Sequence, residues 1–235
     1  MRLDKFLSHA TPLSREEARR SIRSNQVSVN GQIITDASFK PDTDATVMLA
    51  GQALTLPGKR YFMLHKPAGY VCATHDSDHP TVLDLLPPEL NQDLRIAGRL
   101  DIDTTGLVLL SNDGQWLHRI SSPRQACQKT YLVTLSQPVT QETLQQLETG
   151  ILLRGESKPT RPAQAQLLAE NRVELSISEG RYHQVKRMFA ACGNRVTALH
   201  RSQIAGICLP STLQAGEFRA LTASEITMMD KNHAH

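Results

Sequence analysis

The chain has 235 residues, 40% hydrophobic and 21% charged, with a formal net charge of +3. That length leaves room for one large and one small domain, and a mildly basic balance permits a polyanionic partner without demanding one. The composition excludes a disordered chain, and no run of about 18 apolar residues is present to span a membrane.

Leu3, Phe6 and Leu7 have helical spacing, and Pro12 ends that helix. Ser14-Arg-Glu-Glu17 fits a capping box, which predicts a second helix from Arg15 to about Ser24. Arg15, Arg19 and Arg23 share one face of it, with Arg20 beside them. Such a cluster is either a phosphate-binding surface or a solvated face paired with Glu16 and Glu17. Val27 and Val29 alternate with polar residues before Asn30-Gly31, a hairpin turn signal. Val47 and Leu49 predict another short strand, and residues 50–58 read as a linker or strand end.

From residue 60 the pattern changes. Strands are expected at residues 61–64, at the apolar run 107–110, around Tyr131, Val133 and Leu135, around Val173, Leu175 and Ile177, and at 196–199. Helices are expected over 140–150, with Leu144 and Leu147 on one face, and over 183–193, with Val185, Met188 and Phe189 inward. Strand and helix signals mix without a βαβ rhythm, so the fold class is α+β with a mixed, largely antiparallel sheet. The expected division is 1–57 for the small domain and 58–230 for the large one, with 231–235 a disordered tail.

Charged residues follow Met1 where a secretory segment would be apolar, so a cytoplasmic protein is expected. Cys72, Cys127, Cys192 and Cys208 form no C-x-x-C pair and have no His at zinc spacing, so they read as reduced, buried thiols and no metal site is expected. Gly-rich phosphate loops, G-x-S-x-G and H-E-x-x-H are missing as well.

Chemistry is concentrated in two stretches. Gly98-Arg-Leu-Asp-Ile-Asp-Thr-Thr-Gly106 puts two carboxylates, two threonines and an arginine just before a buried strand. A loop held by a rigid strand suits reactive groups, although a polar turn capped by Asp and Thr reads the same way. Ser178-Glu-Gly-Arg-Tyr-His-Gln-Val-Lys-Arg-Met188 follows a strand and opens a helix, gathering Arg181, His183, Gln184, Lys186 and Arg187 where a helix start favours an anion. A basic helix surface is the plainer alternative. Tyr131 on its strand could be core packing, and Lys66 a surface loop lysine.

Gly98-Arg-Leu-Asp101 with Thr104-Thr-Gly-Leu107 resembles the active-site motif of the rRNA pseudouridine synthases. Lys66-Pro67-x-Gly69, Lys129-Thr-Tyr131 and Gly180-Arg-x-His-Gln-Val-Lys186 resemble their other motifs, in the same order and at matching separations. The first 50 or so residues resemble the S4 RNA-binding module. Tyr70-Val-Cys-Ala-Thr, His79-Pro-Thr-Val-Leu83 and Asp113-Gly-Gln-Trp116 are similar to the branch acting on small-subunit RNA. The resemblance implies a small S4-like domain, a catalytic domain with a central cleft, and no metal or organic cofactor. It implies uridine 516 of 16S rRNA as the target, with a partly assembled small subunit as the setting and a monomer as the acting form. A large-subunit enzyme and a non-catalytic assembly factor are the alternatives.

By that resemblance Asp101 is the catalytic carboxylate, Lys186 its basic partner and Tyr131 the base-stacking residue. One carboxylate can suffice where glycosidases use two, because the leaving uracil is recaptured and no water needs activation. Asp103 is expected to order the loop. Arg15, Arg19, Arg20, Arg23, Lys66, Arg99, Arg181, His183, Gln184 and Arg187 are the expected RNA contacts.

Overall fold

In the computed structural model, which describes residues 1–91, 93–122 and 125–231, the chain forms two compact units, Met1–Lys59 and Arg60–His235. Most of the expected tail, 232–235, lies outside the described residues.

The first unit begins with helices α1 (Leu3–Ala10) and α2 (Arg15–Arg23). The capping box at α2 forms as the sequence requires. Ser14 Oγ accepts from the Glu17 amide, and the Glu17 carboxylate accepts from the Ser14 amide at 2.8 Å. Strands β1 (Val27–Val29), β2 (Gln32–Ile33), β3 (Val47–Leu49) and β4 (Gln52–Leu54) make an antiparallel sheet in the order β2-β1-β3-β4. Asn30 and Gly31 take positive φ in the first hairpin, and Ala50 and Gly51 do so in the second. Residues 50–58, expected to be a linker or strand end, thus include β4, entered through a left-handed turn that Gly51 adopts without cost. Leu3, Leu7, Ala18, Ile22, Val27, Val29 and Val47 form the core.

Within that small core a carboxylate is buried. Asp4 is fully inaccessible and receives hydrogen bonds from Arg2, Arg15 and Arg19 at 3.0–3.3 Å. Burial alone would raise its pKa, but the three guanidinium groups together overturn this and hold it far below the usual carboxylate range.

The second unit is built on β5 (Tyr61–Lys66), β6 (Arg95–Ala97), β7 (Thr105–Ser111), β8 (Lys129–Leu135), β9 (Gln164–Ala169), β10 (Arg172–Ile177), β11 (Val196–Ile204), β12 (Ile207–Cys208) and β13 (Phe218–Ala220). Its main path is β13-β5-β7-β11-β8-β10-β9, with β6 on β7 and β12 on β11. The β7–β11 pair is parallel and the other pairs are antiparallel. A 3-10 turn (Val82–Leu85) and helices α3 (Pro88–Asn91), α4 (Gly114–Ser121), α5 (Gln141–Thr149), α6 (Gln184–Ala191) and α7 (Ala223–Lys231) cover the sheet. The sheet is apolar on both faces. Alternation in β7 sends Val108 and Leu110 into one cluster with Leu64, Leu175 and Phe189, and Leu107 and Leu109 into another with Met63 and Trp116. This explains the continuous apolar run in β7.

Register then lines up one row of residues across four neighbouring strands. Lys66 pairs with Gly106, Gly106 with Arg201, and Arg201 with Tyr131. Paired residues share a face of a sheet, so this row forms a continuous strip on which a site can stand.

Candidate active site

A cleft of about 1020 Å³ opens over the Tyr131 and Arg201 end of that strip. Its walls include the 98–104 loop before β7, the 178–186 segment leading into α6, and Tyr131, Lys129 and Arg201 from the sheet.

The 98–104 loop is held at several points. The Lys66 ammonium donates to the carbonyls of Pro67 (2.9 Å), Ile102 (3.2 Å) and Thr104 (2.7 Å). The Gly69 amide donates to Ile102 O at 2.8 Å, and the Leu100 amide to Cys72 Sγ at 3.3 Å. The Arg201 guanidinium donates to Gly98 O from below. A loop tied this tightly keeps its side chains pre-placed.

Lys66 therefore departs from the expectation of an RNA contact. It is fully buried and its three N–H donors all go to backbone carbonyls, leaving none for a phosphate. Burial pushes its pKa down, partly offset by Cys72, Asp103 and Asp101.

The loop presents Asp101 and Asp103 to the start of α6. Lys186 Nζ lies 3.1 Å from Asp101 Oδ2 and 2.6 Å from Asp103 Oδ1, so one ammonium bridges both carboxylates. Partial burial would lower the Lys186 pKa, but the two aspartates outweigh it and raise it. The hydrogen bond from Lys186 holds Asp103 below its ordinary range. His183 Nε2 approaches Asp101 Oδ1 at 3.4 Å. This histidine is the N-cap of α6 and has a left-handed backbone (φ 47°), an uncommon state for a residue with a side chain.

Other expected contacts fall in different places. Arg99 is exposed on the cleft wall. Gln184 is buried, accepting from the Arg181 amide and donating to Glu179, so it caps the helix entrance. Arg181 donates to the carbonyls of Lys158 and Pro159 and pairs with Glu179. Arg187 joins Glu156, Arg154 O and Tyr182 O. These two arginines brace the 154–159 loop, and Gln184 has little surface to offer a ligand. In the other unit Arg15 and Arg19 hold Asp4, exposed Arg20 pairs with Glu16 at 3.4 Å, and Arg23 is exposed. The thiols also differ from expectation, since Cys208 is exposed and Cys72 and Cys192 are partly so.

Arg201 escaped the sequence reading. It is buried, with Nε donating to Leu107 O at 2.8 Å and a longer 3.5 Å contact from Nη1 to the Tyr131 hydroxyl. Its guanidinium carbon lies 5.9 Å from the centre of the Tyr131 ring, within cation–π range. Gly106 makes this possible, because any Cβ there would overlap the Arg201 backbone. Thr104, part of the motif but without a role of its own, has a buried hydroxyl with no hydrogen-bond partner among the described residues. Among the described residues no group of three His, Cys, Asp or Glu side chains could hold a metal.

The arrangement offers two carboxylates in a cleft that share one ammonium, with an imidazole beside Asp101 and an aromatic ring on the floor. Such a set can act on a planar ligand carrying an electrophilic carbon. Residues 60–191 match the family model described as RNA pseudouridylate synthase, and residues 1–47 match the S4 domain model. The chain is 53% identical over 227 residues to the ribosomal small subunit pseudouridine synthase A of Escherichia coli strain K12, covering 96% of this chain and 98% of that one. It is 50% identical over 234 residues to the Yersinia pestis protein of the same name, covering 99% and 100%. A crystal structure of a pseudouridylate synthase superposes with a TM-score of 0.73 at 47% identity, covering 97% of this chain and 99% of that one.

Proposed function

The chain belongs to the RNA pseudouridylate synthase family, and on that premise we propose that it converts uridine 516 of 16S rRNA to pseudouridine, with Asp101 as the catalytic carboxylate. The observation that carries this reading is the bridge from Lys186 to Asp101 at 3.1 Å inside a cleft floored by Tyr131.

The reaction breaks the N1–C1′ bond, turns the uracil and joins C5 to C1′. N1 gains a proton, C5 loses one, and no atom is added. Asp101 serves either by attacking C1′ or by removing a sugar proton. Lys186 holds the carboxylate and balances its charge. The target base must leave its stack to reach Asp101, and the ring of Tyr131 offsets part of that cost. Asp103 shares the Lys186 ammonium and so fixes it from the other side. Exposed Arg99, Arg20 and Arg23 suit phosphate contacts. The setting we infer is a partly assembled small subunit in the cytoplasm, met by a monomer of this chain. The similarity to small-subunit enzymes supports that choice.

The test uses 16S rRNA tritiated at uracil C5, free and with subunit proteins, beside a transcript carrying cytidine at position 516. One tritium released per RNA, and none from the cytidine transcript, is expected. Release from large-subunit RNA instead would move the target to the other subunit.

A further inference from the structure

The cleft holds a second tyrosine in the opposite situation from Tyr131. Tyr131 lies buried on the floor, whereas Tyr182, also on the cleft wall, is 73% exposed. Tyr182 is not loose. Its ring stacks on His183 with centroids 3.8 Å apart and planes within 21°. Its carbonyl accepts from Arg187, which is itself tied to Glu156 and Arg154 O. At its ring edge, through Nε2, His183 meets Asp101 Oδ1 at 3.4 Å. His183 therefore touches the proposed reaction centre through its ring edge and Tyr182 through its ring face, linking Asp101 to an exposed phenol. One face of the phenol is covered by His183, and the exposure of the side chain leaves the other to solvent.

An aromatic face fixed on a rigid backbone beside a nucleic-acid cleft is a stacking platform. Extruding a target uridine leaves its neighbours without a stacking partner. We propose that the Tyr182–His183 pair is a binding site for a nucleobase adjacent to the target uridine, distinct from the Tyr131 floor that receives the target itself. His183, the inner member of the pair, touches Asp101 at 3.4 Å, so the pair borders the proposed reaction centre. Stacking tolerates any base, so the site adds affinity and register more than sequence choice. The proposal rests on the reading of the cleft as the RNA site.

The test compares the wild type with Tyr182→Ala and Tyr182→Phe on a 16S rRNA fragment spanning the target, intact or with one abasic nucleotide at each flanking position in turn. Tyr182→Ala should weaken binding of the intact RNA on the order of 10-fold, and Tyr182→Phe should bind as the wild type does. At one flanking position the abasic penalty seen with the wild type should vanish in Tyr182→Ala. Equal affinity of Tyr182→Ala and wild type would overturn the site, as would identical abasic penalties in both. Weak binding by Tyr182→Phe would point to the hydroxyl and overturn stacking. Asp101→Asn, run in parallel, separates the two readings, because retained turnover there defeats the catalytic assignment whatever the binding data show.

Discussion

Single side chains carry most of this account. Four short motifs in order single out Asp101, Lys186 and Tyr131, and the structure gathers the three at one cleft, although each alone reads as a turn, a basic helix or core packing. Arg201 was not legible. On an alternating strand a lone arginine reads as outward-facing, and only pairing with the distant β7 and β8 turns it under the cleft. Lys66 misled for a related reason, since nothing local reveals that three carbonyls will converge on it. Tyr131→Phe keeps the ring, so RNA affinity should stay within about 3-fold of wild type; a filter-binding titration showing a large loss would assign the hydroxyl the main role. Asp4→Asn should destabilise the first unit by about 1–3 kcal/mol at pH 7, read as faster amide exchange in α1 and α2. The sign follows from its lowered pKa. The Asp4 contribution is present above its ordinary carboxylate pKa and is lost as pH falls toward the folded value, so wild type but not Asp4→Asn should lose protection below about pH 4.

Among elements, those with strong local signals were readable: α2 from its capping box, the Asn30-Gly31 hairpin, and β7 from its apolar run. The elements that were missed lack such signals. β9, Gln-Ala-Gln-Leu-Leu-Ala, has no β-branched residue and sits at a sheet edge. β6, β12 and β13 have three residues or fewer and exist only through their partners. α4 depends on Asp113 accepting from the Gln115 and Trp116 amides, a cap hidden behind Gly114. The β7–β11 junction is the element most sensitive to one atom. Gly106 has φ 110° and no room for a Cβ against Arg201. Gly106→Ala should cost about 3 kcal/mol or more, measured by denaturant unfolding followed through Trp116, the sole tryptophan and fully buried. An unchanged midpoint would show that β7 and β11 can separate at little cost.

For the whole molecule, composition and charge bounded the answer without choosing it, since a net charge of +3 suits many cytosolic enzymes. The first unit adds an arginine face, part of which is spent on Asp4 and part exposed at Arg20 and Arg23. Arg20→Ala and Arg23→Ala should each weaken RNA binding and reduce the slope of log affinity against log salt by up to about one. Turnover at saturating RNA should not change, which separates grip from chemistry. The most direct test of the central claim is tritium release from C5-labelled small-subunit rRNA by wild type and Asp101→Asn, with RNA affinity measured on the same preparations. The account predicts release by the wild type alone and nearly equal affinities. Release by Asp101→Asn at the wild-type rate would contradict it, and joint loss of binding and release would make Asp101 a structural residue.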